Sequence, residues 1–152
     1  MAATTGCRVV LDTSAIVALL CPWHEHHRQV AAATTKRLKE AVGFGIAAHS
    51  LVEAYAVLTR LPAPYRLSCA DALELLRQNF GAAKLAALTA ARFWTLLDRA
   101  ALGSIRGGRT YDALIAATVA ELVPCDLLTL NAKHFAGWDA PGITVVDLVR
   151  AS

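Results

Sequence analysis

The chain has 152 residues, enough for one domain with a sizeable core, and a hydrophobic content of 56% suits a well-filled interior. A net charge of +3 permits a polyanionic partner without requiring one, and the four scattered cysteines, Cys7, Cys21, Cys69 and Cys125, lack the Cys-x-x-Cys spacing of a zinc site or a disulfide framework. The apolar runs are too short to span a membrane and "MAATTGCRVVLDTS" is unlike a secretory leader, so the expectation is a single cytoplasmic domain over residues 1–152 with buried, reduced thiols.

"CRVVLD" is a β-branched run that stops at Asp12, and "TSAIVALL" continues with capping residues and apolar positions suited to a helix. Pro22 then opens a second helix through "WHEHHRQVAAATTKRLKE", and "VGFGIA" reads as a second strand. "HSLVEAYAVLTRL" has Leu51, Ala54, Tyr55 and Leu58 at helical spacing and is broken by "PAP". Ser68 is placed to cap "CADALELLRQNF" and Thr89 to cap "AARFWTLLDRAAL", with a short extended "AKLAAL" between them. "GSIRGGRT" reads as a loop, "YDALIAATVAEL" as a helix, "DLLTL" as a strand, and "GITVVDL" as a last strand after the turn "DAPG". Strands alternating with helices predict an α/β domain of three layers around a central, mostly parallel sheet of four to five strands.

In such a sheet, sites form beyond the carboxyl ends of the strands, where the next helices begin. Asp12 stands at such an end, Glu53 lies in the first turns of a helix that follows a strand, and Asp112 opens a helix. The Lys or Arg residues three or four positions from any of them are Arg8, four before Asp12 within the predicted strand, and Arg109, three before Asp112. Three converging carboxylates would repel one another and take up protons. A divalent cation resolves that conflict, and oxygen ligation without paired cysteines favours Mg²⁺ or Mn²⁺ over zinc. Each acid also has a plainer reading. Asp12 before "TSA" and Asp112 behind Thr110 could be helix caps, and Glu53 could be an exposed residue on the rim.

At these residues the chain resembles the PIN-domain ribonucleases, and more narrowly the VapC-type toxins of bacterial toxin–antitoxin modules. The resemblance rests on "VVLDTSAIVALL", "SLVEAYAVLTRLP", "TYDALIAATVAEL" and "LLTLNAKHF", in that order along nearly the whole chain. It implies a PIN-like fold with Asp12, Glu53 and Asp112 as catalytic, metal-binding acids, supported by the hydroxyls of Thr13 and Ser14. Where family members often carry a fourth acid, this chain has Thr129, Leu130 and Asn131. Asn131 can hydrogen-bond a water but brings no charge, which puts a second metal in doubt, with Asp126 a weaker substitute. The implied activity is metal-dependent endoribonuclease hydrolysis, water attacking phosphorus in line to leave a 5′-phosphate and a 3′-hydroxyl. Glu53 or Asp12 would be the general base. The resemblance also implies a homodimer and a small antitoxin whose C-terminal segment covers the cleft.

Cationic residues would hold the RNA. Arg106 and Arg109 in the glycine-flexed "RGGRT" are the first candidates, a solvated loop being the alternative, and Arg60, Arg66 and Lys133 are weaker ones. "WHEHH" fails the His-Glu-x-x-His test because Arg28 replaces the second histidine, and His49 and His134 have no partner at ligand spacing. Phe93 and Trp94 read as core or dimer contact. Ser14 lacks a Gly-x-Ser-x-Gly elbow, and a haloacid-dehalogenase phosphatase would need an acid at position 14. The remaining rival is a non-catalytic, receiver-like Mg²⁺-binding regulatory module, for which Lys133 gives slight support.

Overall fold

In a computed structural model, which describes residues 6–138 and 140–150, every predicted strand forms. The elements in order are β1 (Arg8–Leu11), α1 (Thr13–Leu20), α2 (His27–Leu38), β2 (Phe44–Ala47), α3 (Ala48–Arg60), α4 (Cys69–Phe80), β3 (Lys84–Ala86), α5 (Ala90–Leu102), α6 (Arg109–Val119), β4 (Cys125–Thr129) and β5 (Ile143–Asp147). Short 3₁₀ turns at Ala120–Leu122 and Ala132–Phe135 bracket β4. The five strands pair in the order β3-β2-β1-β4-β5, all in parallel.

Alternation along β1 sorts the two faces of the sheet. Val9 and Leu11 pack with Ile16 of α1, Val30 of α2, Leu58 of α3 and Phe80 of α4. Val10, between them, faces Leu96 of α5, Ile115 of α6 and Phe135. Helices thus cover both sides, as an all-parallel sheet requires. From β1 the chain proceeds outward through β2 and β3, then crosses to β4 on the other side of β1. The strand order therefore reverses between β1 and β4, and the crevice beyond their carboxyl ends is where such a sheet places a ligand.

Several local expectations are corrected. The second helix starts at His27, because residues after Pro22 make turns closed by His24 N–H to Cys21 O and His27 N–H to His24 O. α6 begins at Arg109 behind Gly108, so Thr110 is inside the helix and is no cap for Asp112. Thr89 occupies the cap position of α5 but makes no capping bond with its side chain. Cys21 and Cys125 are buried, whereas Cys7 and Cys69 are exposed. Phe93 and Trp94 are not core: α5 buries Leu96 and Ala100 and leaves Trp94 73% exposed. Asp139, in the expected turn before β5, lies outside the described residues, as do residues 1–5 and 151–152. Among the described residues no helix is long and apolar enough to cross a membrane.

Candidate active site

Asp12 follows the last residue of β1 and caps α1, so the cap that its sequence context offered is formed at the strand's carboxyl end. Its Oδ1 accepts hydrogen bonds from Ala15 N–H at 2.9 Å and Ser14 Oγ at 2.6 Å. Its Oδ2 accepts one from Thr129 Oγ1 at 2.5 Å. This last bond follows from register: Leu11 pairs with Leu128, so the ends of β1 and β4 bring Asp12 and Thr129 side by side. Leu130 N–H donates to Ser14 Oγ at 3.2 Å and Asn131 N–H to Thr129 Oγ1 at 2.9 Å, closing the network. Only 2% of Asp12 is exposed. Burial pushes its carboxyl above the ordinary carboxylate range despite the bonds from Ser14, Thr129 and Ala15, and the Asp112 charge adds to the rise.

The cavity in front of Asp12 has a volume of about 280 Å³ and is lined by both other acids, Glu53 and Asp112, together with Thr13, Ser14, His24 and Asn131. Glu53 reaches it from the second turn of α3 and Asp112 from the first turn of α6. Thr129 lies behind Asp12, fully buried, and acts on the carboxylate rather than on the cavity. Asp126 is no substitute ligand: it pairs with Val9 in mid-strand, away from the carboxyl ends, and its Oδ2 is 3.3 Å from Arg37 Nε.

Two histidines that lacked partners in sequence find them here. His134 Nδ1 is 2.9 Å from Asp112 Oδ2, across 22 positions of chain. His49 Nε2 is 2.9 Å from Glu53 Oε2, one turn along α3, and its ring stacks on Tyr111. The i, i+4 spacing of His49 and Glu53 was the available signal for that pair. By contrast, His24 lines the cavity while His27 turns away to the carbonyl of Ala18, so the "WHEHH" run forms no ligand pair.

The donor set suits a hydrated cation better than an enclosed one. Among the described residues no three His, Cys, Asp or Glu side chains are placed to hold one ion directly. Thr13 Oγ1, however, is buried without a hydrogen-bond partner, and Thr13 lines the cavity with Glu53. Buried polar atoms demand partners, and Mg²⁺ commonly takes one or two carboxylates directly and keeps several waters for the rest. All donors facing the cavity from the three acids are hard oxygens, which fits Mg²⁺ or Mn²⁺.

Arg106 and Arg109 do not line the cavity. Arg106 is exposed in the loop before α6, and Arg109, also exposed, borders a neighbouring depression with Leu102, Ile105 and Trp138. Both stand at the end of α6 that carries Asp112, and neither has an ion pair among the described residues. Arg66 is engaged, its Nε donating to the Leu61 carbonyl at 2.8 Å.

Residues 9–136 match the family model described as the PIN domain. The chain belongs to the PIN-domain family. This PIN domain is 36% identical over 122 residues to Ribonuclease VapC40 of Mycobacterium tuberculosis, spanning 80% of this chain and 85% of that protein. It is 37% identical over 139 residues to Ribonuclease VapC27 of the same organism, spanning 91% and 95%. Among solved structures, FitAcB from Neisseria gonorrhoeae superposes with a TM-score of 0.65 at 19% identity, covering 93% of this PIN domain and 99% of that chain. The DNA-bound VapBC structure from Salmonella typhimurium gives 0.59 at 20% identity, covering 93% and 98%. At such identities these structures speak to the fold alone, and they agree with the five-stranded parallel sheet. Family membership sets aside the receiver-like alternative.

Proposed function

We infer that this PIN domain is an endoribonuclease, the toxin of a toxin–antitoxin pair, acting in the cytoplasm with a divalent cation. Relatives over most of the chain are named ribonucleases. The observation that carries the site is the convergence of Asp12, Glu53 and Asp112, from three separate elements, on one cavity that also holds the unpartnered Thr13 hydroxyl. We propose that these three acids hold hydrated Mg²⁺ or Mn²⁺, with Thr13 and Asn131 bonding its waters. When bound, the cation would offset charge growing on the phosphate oxygens and acidify a water.

The residues divide the remaining work. Asp12, fixed by three hydrogen bonds, cannot swing, so it sets the position of whatever charge the cavity receives. Ser14 and Thr129 are positioning residues that act through Asp12. His134 orients Asp112 in the same manner. Glu53, which lines the cavity and has His49 Nε2 2.9 Å from its Oε2, would take a proton from the attacking water. Water attacks phosphorus in line and the ribose 3′-oxygen leaves, giving a 5′-phosphate and a 3′-hydroxyl. Arg106 and Arg109 would draw the RNA backbone to the Asp112 side of the cavity. A small antitoxin and a second copy of the chain complete the proposed partners.

Incubation of the purified chain with a mixed RNA pool tests the reading directly. Cleavage is expected with Mg²⁺ or Mn²⁺ and is lost in EDTA and in Asp12→Asn. Intact RNA under all conditions, or cleavage indifferent to EDTA and to Asp12→Asn, refutes it.

A further inference from the structure

We propose that two partly exposed aromatic pairs at the ends of the acid cavity, His49–Tyr111 and Trp23–Tyr65, stack the unpaired bases on either side of the cleaved phosphate and thereby select the RNA. The proposal rests on the ribonuclease reading of that cavity. His49, Glu53 and Val57 recur every four residues on α3 and share one face of the helix. Glu53 and Val57 line the cavity. At the N-terminal end of this face the His49 ring lies nearly parallel to that of Tyr111, with centroids 5.2 Å apart and an interplanar angle of 11°. Tyr111 immediately precedes Asp112 and is 55% exposed even though one side of its ring is covered.

The second pair marks the other end. At about 1.5 Å per residue, the stretch from His49 to Arg60 runs roughly 16 Å along α3. The following loop folds back on the helix through a bond from Leu67 N–H to the Leu58 carbonyl, and Tyr65 sits in that loop. Its ring stacks on Trp23 with centroids 4.3 Å apart and an interplanar angle of 29°. Trp23 precedes His24, itself a cavity residue, and both rings of this pair are 45% exposed.

Half-exposed rings arranged in pairs contribute little to the core, but each is already ordered by its neighbour and offers a further face. A base that stacks there meets a pre-organised surface and loses less freedom on binding. Unpaired RNA can present such bases, whereas the bases of a duplex already stack on each other. A phosphate between two stacked nucleotides would lie over the three acids.

The test uses a single-stranded RNA that the wild-type chain cuts, and copies with one abasic site at each position flanking the cut, in Mg²⁺. Tyr111→Ala and Trp23→Ala are each expected to raise KM about 5- to 100-fold, the effect of losing one base–aromatic stack, with kcat within about threefold. Tyr111→Phe and Trp23→Phe should stay close to wild type. Removing the base that stacks on Tyr111 should weaken wild type by a similar factor and leave Tyr111→Ala unaffected, a coupling that a merely structural tyrosine would not produce. Unchanged KM in the alanine variants, or an abasic penalty equal in wild type and variants, overturns the stacking proposal while Asp12-dependent cleavage keeps the ribonuclease reading. A wild-type chain that cuts no RNA overturns both.

Discussion

Replacing Asp12 by Asn should make the metal-free protein more stable while removing its activity. The carboxylate accepts three hydrogen bonds, from Ala15 N–H, Ser14 Oγ and Thr129 Oγ1. Bonds to a charged acceptor contribute about 1.5–3 kcal/mol each, yet burial of an ion costs several kcal/mol even after relaxation. Its raised pKa says that burial wins. An amide keeps the bonds from Ala15 and Ser14, turns an N–H toward Thr129 Oγ1, and has no charge to desolvate. The expected gain in EDTA at pH 7 is about 0.5–2 kcal/mol, in the range of other relieved functional sites. For a domain of this size that gain raises Tm by roughly 2–6 °C.

Two controls fix the sign. The folded-state pKa lies above the ordinary value of 3.8, so the protonated acid's stability is present below 3.8 and is lost as pH rises through the folded value. The advantage of Asn should accordingly fade as pH falls toward 3.8. Mg²⁺ at ten times its Kd should stabilise wild type by about 1.4 kcal/mol and Asp12→Asn far less, narrowing or reversing the gap. Thermal melts across pH, with EDTA or Mg²⁺, read all of this. An Asn variant that melts below wild type in EDTA at pH 7 would refute the reasoning, because the carboxylate would then be a stabilising cap and nothing more.

Glu53→Gln and Asp112→Asn should each lower kcat/KM by at least about 100-fold, the scale of a lost acid–base or charge-placing group, with unchanged circular dichroism. Joint Arg106→Ala and Arg109→Ala substitution should weaken RNA binding and flatten the plot of log affinity against log salt by about 1.4, since each single-strand phosphate contact adds about 0.7. An unchanged slope removes both arginines from the substrate path. Thr129→Val should destabilise the protein by about 1–3 kcal/mol at pH 7 in urea titrations, because it strips a donor from a buried carboxylate while nearly preserving shape.

The fold was legible wherever local pattern and tertiary packing agree. The β-branched run ending at Asp12, the apolar spacing of Ile16, Ala54 and Leu58, and the caps at Asp12 and Ser68 all survive into the structure. What misled was local chemistry that a distant residue overrode. Pro22 favours a helix start, but Trp23 turns out to stack on Tyr65 and the chain makes turns until His27. Gly107, with φ of 61°, lets the loop tighten so that α6 starts at Arg109, before the expected Thr110 cap. Asp126 looked like a spare acid until strand register placed it opposite Val9 and beside Arg37. The His134–Asp112 contact has no sequence signal, since it is created only when the turn after β4 packs on α6.

The three acids also differ in what holds them, and that difference bears on how the site receives a cation. Asp12 is surrounded by neutral donors that fix its geometry without cancelling its charge. Asp112 and Glu53 instead face imidazoles, His134 Nδ1 and His49 Nε2, each at 2.9 Å. The imidazoles face the outer acids without the permanent charge of a lysine or arginine, so the cavity keeps its attraction for a cation while the fold supplies donors around each acid. A site built only from lysine or arginine pairs would be more stable empty, and for that reason would bind metal less well.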